Sequence, residues 1–193
     1  MSYTICFTGH RPKGFTTSFL AYQESFWKEF QKELESHLIQ IHKHTPITKI
    51  ITGGAQGIDQ IAFHTGMNLY LKGACSPLVN KVIIPFRGQE SRWRKKGLFG
   101  QDEYNLMLSK ADKVQITEPA VTPGSDYKDI CNALEKRNHL MIDQSDLLIA
   151  ILRKDEIQHP SGGTGNAIRY ARSQKKQVLL LPTDVYQSQL HII

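Results

Sequence analysis

The sequence predicts a doubly wound α/β sandwich built on a mostly parallel sheet. Three observations predict it. Short apolar runs of strand length alternate with longer segments of helical periodicity. The strand-like runs are almost continuously apolar, as expected when helices cover both faces of a sheet. The sequence features of chemical interest gather where such runs end, and ligands bind there in open parallel sheets.

The elements follow in order. Tyr3 to Thr8 reads as the first strand. Tyr22 to His42 reads as a helix, with Phe26, Phe30, Leu34, Leu38 and Ile41 three or four positions apart on one face. Trp27 lies beside that stripe and is a candidate subunit contact. Ile47 to Thr52 is the second strand. Ile58 to Leu71 is a helix with Ile58, Ile61, Ala62 and Leu69 on one side. Lys81 to Pro85 is the third strand, Asp102 to Ala111 a helix, and Lys113 to Thr117 a short fourth strand. A long helix follows from Tyr127 to Asp143, capped by Ser125 or Asp126. Leu147 to Leu152 and Gln177 to Leu181 are the last strands. A final helix reads from Ala167 onward.

No internal repeat, low-complexity tract or interdomain linker interrupts the 193 residues, so one domain is expected over 1–193. Forty per cent of the residues are hydrophobic, enough for one sizeable core. No apolar stretch approaches the roughly 20 residues of a membrane span. The first residues do not read as a secretory signal. Cys6, Cys75 and Cys131 are scattered, against a disulfide framework or a zinc cluster. The histidines show no ligand spacing, so neither metal nor cofactor is expected, and the cytoplasm is the expected location. The net charge of +6 suits phosphate ligands, nucleic acid or plain solubility.

Two strand–glycine–helix junctions carry the functional reading. Ser161-Gly162-Gly163-Thr164-Gly165-Asn166 follows the Leu147 to Leu152 run and opens a helix. A helix N-terminus offers free backbone N–H groups and the positive end of the dipole, a ready site for phosphate. Thr164 and Asn166 add side-chain donors. The plain alternative is a tight turn that needs glycine. The second junction, Gly53-Gly54-Ala55-Gln56-Gly57, has the same two readings, and Asp59 after it either caps the helix or contacts a ribose hydroxyl. Thr8-Gly9-His10-Arg11 leaves the first strand; Arg11 suits bidentate phosphate contact, and His10 binds ligand or satisfies nearby backbone. Phe86 and Trp93 flank the basic segment Arg87 to Lys96, with Trp93 the better candidate to stack on a base. Arg137, followed by Asn138, either joins the site or complements its helix dipole. Asp146 either anchors Arg137 or is a surface turn residue.

Together, Thr8 to Pro12, Thr52 to Asp59, Pro85-Phe86 with Gln89 and Trp93, and Arg137-Asn138 with Met141, Asp146 and Gly162 to Gly165 resemble the SLOG superfamily. That group joins the DNA-processing protein A family and the Lonely guy phosphoribohydrolases. The resemblance is strongest to the branch related to the YpsA and YoqJ proteins of bacilli and their phages. It implies a Rossmann-like fold, self-association as at least a dimer, and a site for nucleotide-derived ligands. Against the phosphoribohydrolase pattern, Ser161 replaces a proline, Asn166 a threonine, and Arg169 stands where the catalytic glutamate would be. An arginine cannot do a carboxylate's work at an oxocarbenium-like centre. The expected function is therefore binding of a nucleotide-derived small molecule, such as an ADP-ribose-like compound, an NAD fragment or a cyclic nucleotide signal, by a sensor or sequestering protein. A nucleotide N-glycosidase, with its acid from Asp59, Asp146 or Glu90, is the first alternative. Single-stranded nucleic-acid binding is the second.

Overall fold

The computed structural model describes residues 2–12 and 23–182. Six strands and five α-helices alternate along them: β1 (Tyr3–Gly9), α1 (Glu24–His44), β2 (Ile47–Thr52), α2 (Ile58–Leu71), β3 (Val79–Ile84), α3 (Gln101–Lys110), β4 (Lys113–Ile116), α4 (Tyr127–Asp143), β5 (Leu147–Leu152), α5 (Gly162–Ser173) and β6 (Gln177–Pro182). A one-turn 3₁₀ helix, Lys154–Glu156, follows β5. All six strands are parallel, in the order β4-β3-β2-β1-β5-β6. The chain thus starts at an inner strand, winds outward to β4, and then returns through α4 to β5 beside β1. The doubly wound α/β class is the one the alternation of runs predicts.

Side-chain alternation explains why the strands read as unbroken apolar runs. In β5, Leu147, Ile149 and Ile151 join one core cluster, which α1 fills with Trp27, Phe30, Leu34 and Leu38. Leu148, Ala150 and Leu152 point to the opposite face, against Met141 and Ile142 of α4 and Ala167, Ile168 and Ala171 of α5. Successive strand residues face opposite sides, so a strand covered on both must be apolar throughout. A smaller cluster joins Phe63 of α2, Val82 and Ile84 of β3, and Tyr104 and Met107 of α3.

The predicted helix and strand bounds need small adjustments. Tyr22 lies outside the described residues, and α1 runs on to His44. Asp126 occupies the N-cap of α4 but makes no side-chain capping bond; the Ser125 hydroxyl instead accepts the Thr122 N–H at 2.9 Å. The last helix starts at Gly162, not Ala167. Its glycines are therefore the first turn of the helix. Trp27 is not available as a subunit contact: it is 1% exposed and meets Phe26, Phe30 and Phe99 edge to face. Asp146 does not anchor Arg137. Its carboxylate accepts the Thr4 N–H at 2.8 Å and ties the start of β5 to β1.

Candidate functional site

The winding of the sheet reverses between β1 and β5, and a cleft of about 310 Å³ opens at the carboxyl end of β1. Four segments wall it: Thr8 to Arg11 leaving β1, Ala55 and Asp59 at the start of α2, Leu134, Arg137 and Asn138 on α4, and Gly163 and Thr164 on α5. These residues come from the four parts of the chain that the sequence singles out.

A buried ion pair organises the cleft. Arg137 reaches across from the middle of α4, and its guanidinium donates to the Asp59 carboxylate at 3.2 Å, with the two residues 6% and 7% exposed. The same carboxylate oxygen accepts the Ala55 N–H at 3.0 Å and so folds the glycine loop back on α2. Burial pushes the Asp59 carboxyl above its ordinary value, and the Arg137 charge pulls against that. Arg137 therefore does more than complement the dipole of α4, and Asp59 is held by protein groups. The first glycine of the loop makes this possible: a Cβ on Gly53 would lie 1.5 Å from the Arg137 guanidinium nitrogen. Gly53, Gly54 and Gly57 are buried behind the cleft, with Gly57 at a φ of 88° as the N-cap of α2. Ala55 and Asp59 present that loop to the cleft.

The α5 end is open. Ser161 is the N-cap with no side-chain capping bond, and the first helical bond runs from the Gly165 N–H to the Ser161 carbonyl at 2.9 Å. The N–H groups of Gly162, Gly163 and Thr164 precede it and have no carbonyl within the helix. Gly163 faces space, since an added Cβ would meet nothing within 4 Å. Gly165 is different: its Cβ would lie 2.3 Å from the Pro160 carbonyl oxygen, so this glycine serves packing. Asn166 and Arg169 lie to the side. Arg169 is exposed and donates to Asn166 and, at 3.3 Å, to the Pro160 carbonyl.

A second cleft, of about 360 Å³, adjoins the first and shares Arg11, Ala55 and Leu134 with it. Gln56, Phe86, Gln89, Arg92, Trp93 and Pro123 form the rest of its main walls. Phe86 is buried, and Trp93 is half-buried edge to face on Tyr104, with ring centres 5.3 Å apart. Gln89 is fixed by its amide N–H donating to the Tyr104 hydroxyl at 2.9 Å. Gln56 donates to the Phe99 carbonyl at 2.8 Å.

One charged group in this region had no signal in the sequence. His10, on the wall of the first cleft, donates its Nε2–H to Glu156 of the 3₁₀ turn, and the other oxygen of Glu156 accepts from Arg153 at 3.2 Å. Glu156 sits in a polar loop without periodicity, 146 positions from His10. Leu134 and Pro123 were likewise silent, as ordinary apolar residues.

No curated protein matches the chain. The model of the YpsA family, described as the YspA SLOG family, matches residues 5–185, which take in β1 from Ile5, the other five strands and every wall of both clefts. The chain belongs to the YspA SLOG family.

Proposed function

We propose that this protein binds an anionic, nucleotide-derived small molecule, with its phosphates in the first cleft and its base in the second. One observation carries the reading: the two clefts lie side by side and share Arg11, Ala55 and Leu134 as walls. The first combines Arg11 and Arg137 with the bare N-terminus of a helix, which favours phosphate. The second offers the Trp93 and Phe86 rings and the polar ends of Gln56 and Gln89, which suit a flat heterocycle with polar edges. Family membership is consistent with a nucleotide-related function.

Titration calorimetry with ADP-ribose, NAD, AMP and cyclic AMP tests this directly. Gly163→Val sharpens the test, because a Cβ at this position meets nothing within 4 Å and stands where the ligand would approach the backbone. The variant is expected to keep its circular dichroism spectrum and to lose about tenfold or more in affinity, or roughly 1.4 kcal/mol. Unchanged affinity in the folded variant would remove α5 from the site.

A further inference from the structure

We infer that the first cleft hydrolyses a phosphoanhydride bond of the bound nucleotide, with His10 as the general base and Glu156 as the residue that positions it. The inference rests on the binding reading above and adds a reaction to it. His10 lies where β1 delivers the chain into the cleft, on the same wall as Arg11 and facing the segment that carries Gly163 and Thr164. Its side chain and that of Glu156 are 18% and 20% exposed. Because the Glu156 carboxylate takes the Nε2–H, the ring proton is fixed on Nε2, and Nδ1 keeps its lone pair. Among the described residues Nδ1 has no hydrogen-bond partner. Arg153 holds the other carboxylate oxygen, which keeps Glu156 from turning away. A base oriented by a third group is the arrangement that proton transfer needs.

The charge of the cleft selects the reaction centre. Arg11, Arg137 and the free N–H groups of α5 would stabilise negative charge growing on phosphoryl oxygens. Among the described residues that line the cleft, the one carboxylate is Asp59, and it is held by Arg137 and the Ala55 N–H rather than free for a cationic centre at a sugar carbon. Attack at phosphorus therefore fits this cleft better than cleavage of a glycosidic bond. In the step, a water oxygen forms a bond to phosphorus as its proton passes to Nδ1. The bond from phosphorus to the bridging oxygen breaks, and its electron pair leaves on that oxygen. The leaving phosphate carries the negative charge or takes the proton from solvent. Glu156 stabilises the imidazolium, which returns its proton to water. Nothing is oxidised or reduced.

The test uses the full chain with ADP-ribose and with NAD, in a magnesium-containing buffer. Ion-exchange chromatography is expected to show AMP with ribose 5-phosphate from the first and AMP with nicotinamide mononucleotide from the second. In ¹⁸O-labelled water, one labelled oxygen should enter a product phosphate. His10→Ala should lose about 100-fold or more in kcat, with calorimetric affinity kept within a few-fold. Glu156→Gln should lower kcat while KM and calorimetric affinity stay within a few-fold, because the imidazole loses the group that orients it; a merely structural role would move binding together with kcat. Binding of either compound without turnover, release of free adenine or nicotinamide instead, or full activity in His10→Ala would overturn the inference and leave the binding reading standing. If neither compound binds the unmodified chain, both fall.

Discussion

Asp59→Ala is expected to destabilise the protein by about 3–5 kcal/mol, the usual cost of removing one partner of a buried ion pair. The loss comes from what stays behind. Arg137 keeps its charge at 6% exposure with no carboxylate beside it, and the Ala55 N–H loses its acceptor. The double variant Asp59→Ala, Arg137→Met is expected to regain much of that loss, because the charge leaves with its partner and Met fills similar space. Urea unfolding of the three chains measures both effects. A loss under about 1 kcal/mol for Asp59→Ala would mean that the guanidinium finds water or another acceptor. The same variant should also weaken ligand binding, since it frees the loop that carries Ala55 into both clefts.

Trp27→Ala is expected to cost a similar 3–5 kcal/mol by a different route, the deletion of a large buried side chain whose neighbours cannot fully close the space. Phe26, Phe30 and Phe99 all stand edge to face on the indole, at 4.9–5.9 Å between ring centres. Phe99 belongs to the loop before α3, and its carbonyl accepts the Gln56 amide, so the cavity would reach the glycine loop of α2. Trp27→Phe should recover more than half of the loss, and the urea midpoints of the two variants decide it. A near-neutral Trp27→Ala would show that α1 packs against the sheet less tightly than this geometry requires.

The sequence carried the fold well where periodicity was strong. The bounds of α2, α4 and β5 are those expected, because each has a long apolar stripe or an unbroken apolar run. It misplaced the start of α5 because glycine has poor helix propensity, yet here helical glycines let the first turn stay bare. The site was legible as segments and not as contacts. Arg137 and Asp59 are 78 positions apart, and no local pattern tells that the pair is closed. Asp146 was a reasonable partner for Arg137 by sequence distance alone, but parallel pairing of β1 with β5 sends it to the Thr4 backbone instead. Glu156 could not be read at all, since a carboxylate in an irregular loop is ordinary until a histidine is found opposite it.

The inner position of β1 has a consequence for how the chain is assembled. Ile5 lies opposite Leu147 and Gly9 opposite Ile151, so β1, made before the other five described strands, waits for β5 to complete its pairing. The nascent half-sheet β4-β3-β2-β1 has an unpaired apolar edge until β5 is made, and contacts between such distant segments form slowly. Of the walls of the first cleft, β1 and α2 belong to that early half, and α4 and α5 to the late one. The proposed ligand would therefore meet a complete cleft only once both parts are in place. By mass action, a bound ligand holds the late segment on the early one, adding RT ln(1 + [L]/Kd) to the stability of the closed form.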